Sequence, residues 1–133
     1  MAEEFVVSVV WLGNYRFEAR VGEFSVEIDQ RKEEGGEGKG FKPTELLLSA
    51  LAGCLMTNLV KILGFRNAKV LELEGKTRTV ARRKFEISLR VKAERGGVEL
   101  SREEIEEVLR AAEETCKISE ILEEECKVSI VLV

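Results

Sequence analysis

Histidine is absent from all 133 residues, and that one gap excludes more chemistry than any other feature of the composition. Without imidazole there is no Ser-His or Cys-His dyad and no His-ligated metal. Proline, tryptophan and tyrosine occur once each, and Asn and Gln are scarce. The chain has no basic face and no aromatic-basic pattern, and its net charge is −4, so no nucleic-acid partner is expected. The run of apolar residues near the N-terminus, in MAEEFVVSVVWLG, spans only eight residues. That is neither a secretory signal nor a membrane span, so a cytoplasmic protein with no membrane partner is expected. Cysteine occurs three times, at Cys54, Cys116 and Cys126, spaced 62 and then 10 residues apart. Those spacings make no CxxC pair and no zinc site. In a reducing compartment they mean free thiols, or one pair doing redox work.

What is present suits one globular domain over residues 1–133. The chain is 44% hydrophobic and 35% charged, which favours a packed core beneath a charged surface over disorder. The charge is carried mostly by Lys, Arg and Glu, a balance that hyperthermophile proteins share.

Phe5–Leu12 is rich in β-branched and aromatic residues and predicts a strand. Gly13-Asn14 predicts a hairpin turn. Tyr15, Phe17, Ala19 and Val21 then alternate with Arg16, Glu18 and Arg20. After a second turn at Gly22-Glu23, Phe24, Val26 and Ile28 continue the alternation, so a three-stranded meander is expected. Gln30–Lys42 reads as a charged, glycine-rich, mobile loop. Pro43 suits a first helical turn. Thr44–Leu63 predicts a helix apolar on every side, hence buried, with Gly64 as its stop; it is read as too short and too polar at its C-terminal end to span a bilayer. Val70–Val80 and Phe85–Val91 read as strands, with Ala81–Lys84 (ARRK) a solvated strand end and Gly96-Gly97 a break. Ser101 and Glu104 form a capping box, and Ile105, Val108, Leu109, Ala112 and Cys116 form one helical stripe. Cys126, Val128, Ile130 and Leu132 alternate along a closing strand. The order is βββ-α-ββ-α-β, an α+β fold with an antiparallel sheet packed around a buried central helix. One small sheet cannot cover such a helix, so a homodimer is expected.

Pattern alone reads each cysteine as a small core hydrophobe, because free Cys is among the most buried residue types. Two motifs add to that reading. Pro43–Cys54 (PTELLLSALAGC) resembles the central-helix signature of the OsmC/Ohr family, and Cys116–Leu122 (CKISEIL) resembles its second cysteine motif. The element order agrees as well, and the match is to the shorter, divergent OsmC-like branch. The resemblance implies an OsmC-like fold, an intertwined homodimer and a thiol-dependent peroxidase acting in oxidative-stress defence. Cys54 would attack the O–O bond of an organic hydroperoxide and become a sulfenic acid. Cys116 would condense with it to a disulfide, and an external dithiol would reduce that bond. No bound cofactor and no metal are implied. In the family an Arg held by a Glu stabilises the thiolate. Thr44 fills the position of that Glu here, and Glu45 lies nine residues before Cys54. Arg16, Arg20 and Arg31 are the arginines that precede the helix, with Arg31 placed to swing in from the loop. Cys126 matches neither motif and reads as structural. The alternative function is an OsmC-like binding or redox-sensing protein with little peroxidase activity.

Overall fold

The computed structural model describes residues 4–122 and 127–133. Cys126, expected on the closing strand, lies outside the described residues. The chain divides into two compact units, Met1–Leu47 and Leu48–Val133.

The first unit opens with the expected meander: β1 (Ser8–Gly13), β2 (Arg16–Val21) and β3 (Phe24–Ile28), all antiparallel in the order β1-β2-β3. Trp11 pairs with Phe17 and Phe17 with Ile28, so the alternating residues line up across the sheet. The first turn falls one residue later than expected, at Asn14-Tyr15, and Gly13 stays in the strand opposite Arg16. Gly13 can do this because its φ of 103° is open to a residue without Cβ. The indole N–H of Trp11 then donates to the Asn14 carbonyl at 2.9 Å, closing the turn. The Gly22-Glu23 turn is where the pattern put it, between Val21 and its partner Phe24.

The loop after β3 is not the loose segment that its composition suggests. Asp29 is fully buried, and its carboxylate accepts from the backbone N–H groups of Gln30, Glu37 and Lys39 at 2.7, 3.2 and 3.1 Å. One side chain thus satisfies three donors that would otherwise want water. A 3-10 turn at Lys32–Glu34 and a parallel bridge between Ile28 and Phe41 complete the wrap.

Helix α1 (Pro43–Phe65) begins at the proline but runs past Gly64. Its end is a Schellman motif: Ala68 N–H donates to Leu63 O at 2.9 Å and Asn67 N–H to Gly64 O at 3.1 Å. Asn67 holds the left-handed position at φ 59°. By length and apolarity α1 could cross a membrane, against the expectation that it was too short. It is instead a core helix: Leu51, Leu55, Leu59 and Leu63, spaced four apart, are all buried. Within a single chain it is not fully covered, in keeping with the expectation that one small sheet could not cover it: Leu47, Val60 and Phe65 are exposed.

In the second unit β4 (Lys69–Ala81) and β5 (Lys84–Arg95) form a long antiparallel hairpin. Arg82-Arg83 is its exposed turn, with Arg83 at φ 60°, so the ARRK segment is a hairpin tip. Phe85, Ile87, Leu89 and Ala93 of β5 are buried and supply the sheet's half of the core. Two elements had no clear sequence signal, the short strand β6 (Val98–Glu99) and the helix α3 (Lys117–Leu122). Helix α2 (Arg102–Glu114) starts as expected, with Ser101 accepting from Glu104 N–H at 3.2 Å and Ile105, Val108, Leu109 and Ala112 buried. The last strand, β7 (Lys127–Leu132), corrects the expected all-antiparallel sheet: it runs parallel to β5, from Lys84↔Lys127 to Leu89↔Leu132. The reason is the connection. The two helices between β5 and β7 return the chain to the end of the sheet where β5 began, which a hairpin cannot do.

Candidate active site

Cys54 lies on α1 between the buried residues Leu51 and Leu55, and is itself half-buried against the core of the second unit. Asn58, one helical turn further on, donates to the Ala112 carbonyl at 3.4 Å and ties α1 to the last turns of α2. Cys116 follows only a few residues later. The expected apolar stripe holds through Ala112, but α2 ends at Glu114 and Thr115 caps it. Cys116 therefore sits in the break between α2 and α3, not on α2.

That break puts Cys116 at the start of α3. The Cys116 carbonyl accepts from Glu120 N–H at 3.0 Å, which makes Cys116 the N-cap of α3. An N-cap side chain faces the N–H groups two and three residues on. In this position Ser119, Cys54 and Ile118 are the neighbours that favour negative charge on the sulfur. Only 2% of Cys116 is exposed, and this burial pushes its thiol pKa up. These neighbours outweigh the burial, Ser119 foremost, and hold the thiol below its ordinary value. The two sequence-predicted cysteines are both free thiols, and Cys54 packs against the hydrophobic cluster that contains Cys116. Sequence reasoning missed the part of Ser119. The available signal was a serine three residues after a cysteine, the spacing of a capping box with sulfur as the acceptor.

The three candidate arginines are distributed within the first unit. Arg16 is half-buried and pairs with Glu27; Arg20 is exposed and pairs with Glu18. Arg31 pairs with Glu45 at 2.5 Å and also donates to the Gly40 carbonyl at 3.3 Å. Of the four candidate activating residues, then, Arg31 and Glu45 come together. Glu45 does two jobs. Its other oxygen accepts from Lys42 N–H at 2.8 Å, capping the start of α1. That backbone bond, then Arg31, holds the Glu45 carboxyl below its ordinary value. Beside the pair lies an open cavity of about 600 Å³, bordered by Lys39, Phe41 and Glu27. Among the described residues no group of three or more Cys, Asp or Glu side chains could hold a metal ion.

A family model described as OsmC-like protein matches residues 36–131. No curated protein matches the sequence. Solved structures resemble the fold over nearly its whole length. An OsmC-like protein from Mycoplasma pneumoniae superposes with a TM-score of 0.83 at 18% identity, covering 100% of this chain and 98% of that one. An OsmC-like protein of unknown function from Vibrio cholerae gives 0.81 at 14% identity, covering 99% and 100%. The organic hydroperoxide resistance protein OhrB of Bacillus subtilis gives 0.66 at 22% identity, covering 97% and 98%.

Proposed function

The chain belongs to the OsmC-like family, and from that premise we propose that it is a thiol-dependent peroxidase that reduces organic hydroperoxides in the cytoplasm as part of oxidative-stress defence. The observation that carries this reading is that Cys116, buried, and Cys54, half-buried, pack in one apolar cluster, with Cys54 among the neighbours that hold the Cys116 thiol below its ordinary value. Cys54 must first lose its proton. As Cys54 loses it, its sulfur attacks the O–O bond, becomes a sulfenic acid and releases an alkoxide that takes up a proton to leave as the alcohol. Cys116, whose thiol is held below its ordinary value, then attacks the sulfenic sulfur and expels water, which leaves a Cys54–Cys116 disulfide. An external dithiol returns both thiols. The resemblance calls for an Arg held by a Glu near the start of the helix, and of the three candidates Arg31 is the one that pairs with the helix residue Glu45, which makes it the arginine to test.

The test is to treat reduced protein with one equivalent of cumene hydroperoxide and map the thiols by mass spectrometry. A fast, stoichiometric Cys54–Cys116 disulfide, abolished by Cys54→Ser, is the expected result. Arg31→Ala should slow its formation by roughly tenfold or more, the scale of losing one charge-stabilising group. If both thiols stay free, or oxidise no faster than a small-molecule thiol, the peroxidase reading fails and a binding or redox-sensing protein replaces it.

A further inference from the structure

Arg31 reaches Glu45 from a loop whose composition predicts no order, so something must hold the arginine where the ion pair needs it. The pair is a poor anchor by itself. Holding a long side chain in one geometry costs rotamer freedom that a surface ion pair barely offsets. The backbone of the loop supplies the anchor. Its neck is closed by two bonds, from Phe41 N–H to the Glu27 carbonyl at 2.9 Å and from Asp29 N–H to the Phe41 carbonyl at 3.0 Å. Inside the neck the buried Asp29 carboxylate accepts from the N–H groups of Gln30, Glu37 and Lys39. Gln30 directly precedes Arg31, and Lys39 directly precedes Gly40, whose carbonyl accepts from the Arg31 guanidinium at 3.3 Å. Asp29 thus fixes both the root of the Arg31 side chain and the carbonyl on which it lands. We propose that Asp29 is a positioning residue for the peroxidase reaction, holding Arg31 against Glu45 through the backbone of the loop without itself touching substrate.

The frame does not depend on what covers the ion pair. Asp29 is fully buried within one chain and its three donors lie on the same loop, so assembly leaves these bonds as they are. Further bonds leave the loop little slack. Gly36 N–H donates to the Arg31 carbonyl at 3.0 Å and Gly38 N–H to the Gln30 carbonyl at 3.1 Å, and a Cβ at Gly36 would strike the Gln30 carbonyl. A buried carboxylate is costly unless its oxygens are hydrogen-bonded, and here they hold amides beside both ends of the Arg31 contact. A cation that stabilises a thiolate acts through its placement, so loosening its frame lowers the rate even though the frame lies outside the chemistry. The inference rests on the foregoing reading, with Arg31 as the arginine of the site.

The experiment joins a rate to a titration. Reduced wild type, Asp29→Asn, Arg31→Ala and the double variant are mixed with cumene hydroperoxide, and loss of the Cys54 thiol is timed by acid quench and mass spectrometry. Arg31→Ala should slow the reaction by roughly tenfold or more, and Asp29→Asn by roughly three- to tenfold. The double variant should be no slower than Arg31→Ala, because Asp29 acts only through Arg31. A residue that merely stabilised the fold would add its own loss. The second readout needs no activity. Lys42 N–H, and after it Arg31, hold the Glu45 carboxyl below its ordinary value, so its carbon-13 titration midpoint should move upward in Asp29→Asn as in Arg31→Ala. The third uses the wild type alone and does not depend on how well a variant folds: the Glu37 and Lys39 amides should be protected from hydrogen exchange. A wild-type rate in Asp29→Asn, an additive double variant, an unmoved Glu45 midpoint or unprotected amides would each overturn this proposal and leave the peroxidase reading standing. A wild type that oxidises at Cys54 no faster than a small-molecule thiol would sink the peroxidase reading and this proposal together. A wild-type rate in Arg31→Ala would remove the arginine, and Asp29 with it, from the mechanism.

Discussion

Asp29 shows how much one side chain can organise. Burial pushes its carboxyl up, yet hydrogen bonds from the backbone of Lys39, Gln30 and Glu37 overcome that and hold it below its ordinary value. The sign of the linkage follows. A carboxyl whose folded value is depressed contributes stability that is whole above the unfolded value, about 3.9, and is lost as pH falls through the folded value. Glu45 and Glu104 are depressed as well and share this acid limb. We expect Asp29→Asn to lower Tm at neutral pH, because an amide offers one acceptor oxygen where two now serve three donors. We also expect the fall in Tm between about pH 4 and pH 2 to be shallower in Asp29→Asn than in the wild type, a comparison that calorimetry across pH can make. An equally steep fall would show that other carboxylates carry the acid sensitivity.

The elements owe their ends to local chemistry that single substitutions can probe. Ser101 caps α2 through Glu104 N–H, so Ser101→Ala should cost about 1 kcal/mol in denaturant unfolding. Gly40 sets the return of the loop after β3. A Cβ placed there would lie 2.4 Å from the Glu27 carbonyl oxygen, a backbone atom that cannot step aside. Phe41 N–H donates to that same oxygen at 2.9 Å, so the contact cannot loosen without losing a bond. Gly40→Ala should therefore destabilise by about 1–3 kcal/mol and shift the resonances of residues around Asp29. If Tm and these resonances are unchanged, the loop is not held as tightly as its hydrogen bonds indicate. Leu59 of α1 is fully buried between the sheet and the second helix layer, and Leu59→Ala should cost about 2–5 kcal/mol.

For the molecule entire, the conspicuous feature is apolar surface left open. Trp11 is 66% exposed and Phe24 80%, both on the meander, and Val60 and Phe65 of α1 are also exposed. Isolated exposed hydrophobes are ordinary, but Val9 and Trp11, two residues apart on β1, share one exposed face, and such pairs on a sheet are a candidate interface. A second copy of this chain is the covering that the family resemblance implies. Light scattering at micromolar concentration should therefore give twice the mass of the chain, and replacing Val9 and Trp11 by Glu should shift it towards one. A wild-type monomer would refute the dimer.

Much of this was legible in the residues. Period-two alternation marked β2, β3 and β5, and the Ser101–Glu104 box and the stripe from Ile105 to Ala112 marked α2, because these signals are local and each is satisfied within a few residues. The motifs around Cys54 and Cys116 pointed to the pair for the same reason. What the sequence hid was decided by partners distant along the chain. The parallel course of β7 depends on where the helices of the connection set the chain down. The order of the loop depends on one carboxylate reaching back to three amides. Which glutamate each of Arg16, Arg20 and Arg31 meets is set by the tertiary fold, and no spacing encodes it. Cys116 is the clearest case. Its sequence pattern read as one more position on an apolar stripe, and only the structure shows that it stands in the break between α2 and α3. Hydrophobic periodicity is blind to such a break, because a buried thiol packs like a small hydrophobe until a neighbour donates a hydrogen bond to it.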